Sequence, residues 1–211
     1  MTGASDPVGS SLVASLAHPG GNVTGMSIQS TDLAAKDLQL ARELVPKATR
    51  VAVLTDKSIT AALFIEQIQA ATKKLGITLV VQYANEAGAL DSSMAAIQRA
   101  RVQALIVQHT TFTDSHRQRI VELVAQHRLP AIFGSRAFVD AGGLMSYGPS
   151  LPEIFRRAAY YVDRIFKGAK PADLPVEQPT VFEMVINMKT ARALGLKISN
   201  SILVQASTVI E

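Results

Sequence analysis

Short β-branched runs alternate along this chain with longer stretches in which apolar residues recur every three or four positions. Ala34, Leu38, Ala41 and Val45 share one helical face, which predicts a helix capped by Thr31 or Asp32 and closed by Pro46. VAVLT (Val51–Thr55) then reads as a strand that ends on a polar residue. Phe64, Ile68, Ala71 and Leu75 mark a second helix from about Thr60, ended by Gly76. The unit repeats: strand Ile77–Ala84, a helix capped by Asp91 that runs to about Arg101, and strand Ala104–Gln108. A helix capped by Ser115 carries Ile120, Leu123 and Val124. Strand LPAIFG, a short helix over Arg136–Ala141 and strand LMSYG (Leu144–Gly148) follow. Such alternation predicts an α/β fold with a Rossmann-like, doubly wound, mainly parallel sheet.

The pattern changes after Pro149. Ile154, Ala158, Tyr161 and Ile165 fall on one face of a long helix, Ile154–Lys167, with Phe155, Val162 and Phe166 beside them. Pro171, Pro175 and Pro179 then punctuate an extended connector. Val181–Asn187 alternates as a strand, Asn187 is placed to cap a helix over MKTARALG, and SILVQASTVIE reads as a final short strand and tail.

Composition narrows the function. The 211 residues are 48% hydrophobic and 18% charged, the balance of a chain with a real core. Aromatics are 5% and Trp is absent, which leaves the core to Val, Ile, Leu and Ala. The net charge of +4 is scattered and interleaved with acids, so no nucleic-acid partner is expected. The absence of cysteine excludes disulfides and cysteine-bound metals. No apolar run is long enough to span a bilayer. MTGASDPVGSSLVASLAHPGG lacks the charge-then-apolar order of a signal peptide, so the chain as written is expected to stay in the cytoplasm.

Catalytic motifs are missing. GGNVTG fits neither GxGxxG nor GxxxxGK[ST] and reads as a turn; there is no GxSxG, and the four histidines lack metal-binding spacing. No cofactor and no metal is expected. What recurs is polar chemistry directly after strands. Thr55, Asp56 and Ser58 follow the first, His109 and Thr110 the third, Ser135 the fourth, and Ser146 and Tyr147 belong to the fifth. In one parallel sheet these clusters share an edge, and together they form a candidate rim for a small polar molecule. Two other readings use the same edge. One is an α/β enzyme with Asp56 and His109 as acid–base pair; the other is a ligand-sensing regulatory domain, which would need a DNA-binding segment that is not seen upstream of the lobe.

The segments SDPVGSSLVASLAHPGGNVTGMS, LAAKDLQLARELVPKATRVAVL, HRLPAIFGSRAFVDAGGLMSYGPS and FRRAAYYVDRIFKGAKPADLPVEQPTVFEMVINMKTARALGL, in this order and spacing, cover essentially the whole chain. Together they resemble the ABC-transporter substrate-binding proteins, in the group that includes tryptophan- and aromatic-amino-acid-binding lipoproteins. The resemblance implies a type I periplasmic-binding-protein fold, with two Rossmann-like lobes joined by three crossover strands and an amino-acid-like ligand in the cleft between them. It also implies an ABC permease as partner, a periplasmic or extracytoplasmic location, and no enzymatic activity. Ser5 and Asp6 would meet the ligand from the first lobe. Thr55, Asp56, Ser58, His109, Thr110, Ser135, Ser146 and Tyr147 would meet it from the second lobe and hinge, with Ser146 and Tyr147 both facing the cleft.

The chain departs from the family at its start, where MTGAS stands in place of the usual apolar strand before DPV. It therefore reads as an N-terminally truncated member with its first lobe largely missing. Residues 1–24 are a remnant of that lobe, 25–144 form the second lobe, 145–180 return to the first lobe, and 181–211 complete the second. The apolar face of helix Ile154–Lys167 would then lack much of its cover, which predicts self-association.

Overall fold

The chain opens on two short strands, β1 (Thr2–Ala4) and β2 (Met26–Ser27), paired in parallel. The computed structural model describes residues 1–4, 6–28 and 33–211, so the Thr31 or Asp32 cap expected for the first helix lies outside the described residues. After β2 come α1 (Ala34–Leu44), β3 (Arg50–Thr55), α2 (Ile59–Leu75), β4 (Thr78–Tyr83) and α3 (Ala89–Arg99). They are followed by β5 (Ala104–Val107), α4 (Thr111–Ser115), α5 (Arg117–Gln126), β6 (Ala131–Phe133), α6 (Arg136–Asp140) and β7 (Met145–Pro149). Helix α7 (Leu151–Phe166), a 3-10 turn at Pro171–Asp173, β8 (Phe182–Asn187), α8 (Met188–Leu194), α9 (Asn200–Gln205) and β9 (Thr208–Ile210) complete the order.

The chain divides into two compact units. One holds Met1–Ser30 and Pro149–Phe182, the other Thr31–Gly148 and Glu183–Glu211. Their boundaries fall slightly later in the chain than those read from the sequence.

The larger unit is built on the sheet β4-β3-β5-β6-β7-β8-β9, parallel at β4/β3, β3/β5, β5/β6, β6/β7 and β8/β9. A parallel sheet covered on both faces must be apolar on both, and β5 (ALIV) is buried at every position. Side chains alternate between two cores. Val51, Val53, Ile106, Ile132 and Met145 join Leu38, Ala41, Phe64 and Ile68 of α1 and α2. Leu54, Leu105, Val107 and Phe133 join Met94, Ile97, Ile120 and Phe138 on the other face. Helix α2 shows why the boundaries fall where they do: the Ser58 hydroxyl accepts the Ala61 N–H at its start, and left-handed Gly76 (φ 64°) stops it.

In the smaller unit Met26, Ile28, Ile154, Tyr161 and Leu174 form a core of their own. The Ser27 N–H donates to the Glu177 carbonyl and the Glu177 N–H to that of Gly25, so the proline-rich connector adds an edge to β2. Arg157 of α7 clamps the Glu177 carboxylate with two hydrogen bonds of 2.6 Å. Helix α7 buries Ile154 and Tyr161 and leaves Phe155, Val162 and Phe166 at 62%, 49% and 86% exposure.

Several local expectations are corrected. MTGAS does carry a strand: the Met26 N–H donates to the Met1 carbonyl and the Ile28 N–H to that of Ala4, pairing that needs backbone and not apolar side chains. Asp91 lies inside the first turn of α3 and is not its cap. Ser115 ends α4, which Thr110 caps in a reciprocal box with Thr113, and the helix that carries Ile120, α5, starts behind His116 with no side-chain cap. Pro149 closes β7, and α7 begins at Leu151 behind Ser150. SILVQ is helical, because the Ser199 hydroxyl caps α9 by accepting the Ile202 N–H.

The ends of β6 and β7 approach as closely as backbones can. A Cβ on Gly148 would lie 2.3 Å from the Gly134 carbonyl oxygen, whereas one on Gly88 would meet nothing within 4 Å. Gly148→Ala is therefore expected to cost about 1–3 kcal/mol of stability by overpacking, and Gly88→Ala to stay within about 0.5 kcal/mol. Urea midpoints of the two variants check this, and equal midpoints would contradict it.

Candidate functional site

Parallel pairing from β4 to β7 brings the carboxyl ends of these strands to one edge of the larger unit. Helix α1 ends shortly before β3 begins, so it runs back from that edge and leaves its first turn there.

Thr55, at the end of β3, is fully buried, and its hydroxyl donates to the Gln108 side-chain carbonyl at 2.5 Å. The Gln108 main-chain carbonyl accepts from the Thr113 hydroxyl at 2.7 Å, which ties the β5 end to α4. Asp56 accepts the Ser58 N–H at 3.0 Å, and Ser58 caps α2. Thr110 and Ser135 cap α4 and α6, the latter by accepting the Ala137 N–H. Four of the expected site residues thus shape the edge by fixing helix starts or turns.

His109 stands against Gly134, where an added Cβ would lie 2.8 Å from its own Cβ. Burial lowers its pKa, opposed by Asp114, whose Oδ1 is 3.9 Å from His109 Nε2. The carboxylate that His109 meets is therefore Asp114; the pairing of His109 with Asp56 required by the acid–base reading is absent from the ion pairs and hydrogen bonds among the described residues.

The expectation that Ser146 and Tyr147 face the same way is corrected by the pleat. Successive strand residues point to opposite faces. Tyr147 packs on the core that holds Met145, while Ser146, in register with Phe133, is completely buried and its Oγ has no hydrogen-bond partner among the described residues. Burial, and secondly the charge of Asp37, raise the Tyr147 pKa. Lys36 Nζ lies 5.9 Å from the Tyr147 ring centroid. Of the two first-lobe candidates, Ser5 lies outside the described residues. Asp6, in the smaller unit, accepts the Gly9 N–H at 2.8 Å.

Sequence reasoning missed Asp37. It sits on the inward face of α1, 4% exposed, and its Oδ1 accepts no hydrogen bond from the described residues. Burial holds its carboxyl well above the usual carboxylate range. The signal was present: Asp37 lies three residues after Ala34, inside the apolar stripe, where an acid has no reason to be unless it has a partner. Gln108, half of the Thr55 pair, is the other residue that the expected site left out.

A groove of about 500 Å³ lies elsewhere on this unit, walled by the second half of α5, Gly142–Leu144 and α8. It faces the amino ends of β6 and β7. Of the polar residues that line it, Arg128 and Thr190 are spent on the Ala193 and Gly142 carbonyls, while Asp140, Asn187 and Lys189 also face it. The carboxyl edge is where open α/β sheets bind ligands, and it carries two of the four unpartnered buried polar atoms among the described residues, Asp37 Oδ1 and Ser146 Oγ; the other two, Glu43 Oε2 and Arg50 Nε, lie at the end of α1 and the start of β3.

Comparison with known proteins gives consistent relatives. A structure of an ABC domain from Streptococcus pneumonia, solved in complex with L-Trp, is 29% identical with a TM-score of 0.87, over 97% of this chain and 69% of that one. A conserved domain protein from Vibrio cholerae is 27% identical with a TM-score of 0.91, over 99% and 70%. A tyrosine-binding protein of Clostridioides difficile is 25% identical over 199 residues, 93% of this chain and 56% of that protein, so the chain spans little more than half the length of this curated relative. The larger unit's sheet and the structural relatives agree with the type I periplasmic-binding-protein-like fold expected from the resemblance. The family of ABC transporter substrate binding proteins matches residues 1–210, and the chain belongs to it.

Proposed function

We propose that the chain is the solute-binding part of an ABC import system and takes an aromatic or other apolar amino acid at the carboxyl edge of its larger unit. The family match over residues 1–210 carries this reading. The relatives bound to L-Trp and named for tyrosine supply the ligand class. The working partners are a small-molecule ligand and an ABC permease, at an extracytoplasmic membrane face. Asp56, His109, Thr110, Ser135 and Tyr147 line or fix the ligand edge, and Thr55 and Gln108 brace it from within.

Calorimetric titration of the 211-residue chain with L-tryptophan and L-tyrosine tests the reading. Saturable binding of at least one is expected. Tyr147→Ala is expected to weaken it at least tenfold, about 1.4 kcal/mol, with the circular dichroism of the fold retained. No binding by the unaltered chain would contradict the reading, and unchanged affinity in a folded Tyr147→Ala would remove Tyr147 from the contact set.

We further take the exposed Phe155, Val162 and Phe166 stripe of α7 as the surface through which copies of the chain associate. The double variant Phe155→Ser, Phe166→Ser is expected to lower the mass seen by light scattering while leaving the melting temperature nearly unchanged. An unaltered mass would refute this.

A further inference from the structure

We propose that Asp37 selects ligands that carry an amino group, its carboxylate pairing with the ligand's ammonium at the carboxyl edge of the larger unit. The inference rests on the amino-acid reading above and adds to it the residue that would make that class obligatory.

Three observations converge on Asp37. Its side chain is buried at 4% exposure, and no described residue donates to Oδ1. It occupies the first turn of an 11-residue helix at the edge where the strands stop. Its charge is the second cause, after burial, that raises the pKa of Tyr147, the third residue of β7, whose carboxyl end lies at that edge. A buried polar atom left without a partner in a native fold calls for an explanation, and a ligand is one.

Among the described residues no cation pairs with Asp37. Lys36 is the neighbouring residue on α1, but adjacent helical positions do not face each other. Its Nζ donates to Gln205 Oε1 at 3.0 Å and lies over the Tyr147 ring. The helix N-terminus offers only a partial positive charge, and burial still keeps the carboxyl in its protonated form more than an exposed acid would be. An ammonium brought in by a ligand would supply the full charge and a donor for Oδ1. A merely structural carboxyl gains nothing from being ionisable here, whereas a recognition group does.

The chain has no Trp, so indole fluorescence anisotropy reports the ligand alone. The experiment compares L-tryptophan with indole-3-propanoate, which lacks only the amino group, on the unaltered chain and on Asp37→Asn. The unaltered chain is expected to prefer L-tryptophan at least tenfold. Asp37→Asn is expected to lose that preference by weakening L-tryptophan alone, with a melting temperature no lower than the parent's. Equal affinity of the unaltered chain for the two ligands would overturn the assignment, even if Asp37→Asn failed to fold. So would an Asp37→Asn variant that keeps the preference, or one that weakens both ligands alike. Failure of the unaltered chain to bind either ligand would overturn the amino-acid reading itself and the assignment with it.

Discussion

A parallel sheet covered on both faces has room for polar side chains only where its strands stop. That constraint organises the larger unit. From Val51 to Leu54 and from Ala104 to Val107 every side chain enters one core or the other. The next residue along, Thr55 or Gln108, is still buried but polar, and the two meet in a hydrogen bond. Beyond them the chain can turn only by capping a helix, which Ser58, Thr110 and Ser135 do. The edge is thus a polar rim backed by apolar side chains.

The rim is largely self-satisfied, and this gives its exceptions their meaning. The hydroxyls and amides spent on helix starts fix the shape of the edge but have little capacity left for a ligand. Asp37 Oδ1 and Ser146 Oγ are buried without a described partner. They lie on opposite faces, since Asp37 packs with the α1 core and Ser146 is in register with Phe133 of the other core. The tight approach of Gly134 to both His109 and Gly148 closes the sheet between them. An unpartnered hydroxyl costs little beside an unpartnered carboxylate, so Asp37 is the stronger candidate for a group held ready for something outside the chain.

Much of this was legible in the sequence, for a physical reason. Strands buried on both faces read as unbroken apolar runs, so VAVLT and ALIVQ announced themselves and their polar ends marked the edge. Helices were legible by stripe and stop signal, as at Phe64–Gly76. The misreadings came where a local hydrogen bond outweighed a pattern. SILVQ has the β-branched look of a strand, yet the Ser199 cap makes it helical. Ser115 has the look of a helix start, yet the Thr110–Thr113 pair starts α4 ahead of it, Ser115 falls at that helix's end, and α5 begins behind His116. Ser146 and Tyr147 were read as one cluster because they are adjacent, although a pleat separates adjacent residues. Asp37 was passed over because the stripe around it was judged by its apolar members alone.

On the proposed function, ligand meets the chain at the carboxyl ends of β3, β5, β6 and β7 and at the first turn of α1, not in the groove beside α5 and α8. Hydrogen–deuterium exchange, followed by peptide mass with and without saturating L-tryptophan, distinguishes the two places. Slowed exchange is expected in the segments 34–38, 54–58, 107–114, 133–137 and 145–148, with 121–129 and 187–194 unaffected. Protection confined to 121–129 and 187–194 would contradict it and move the site to the groove.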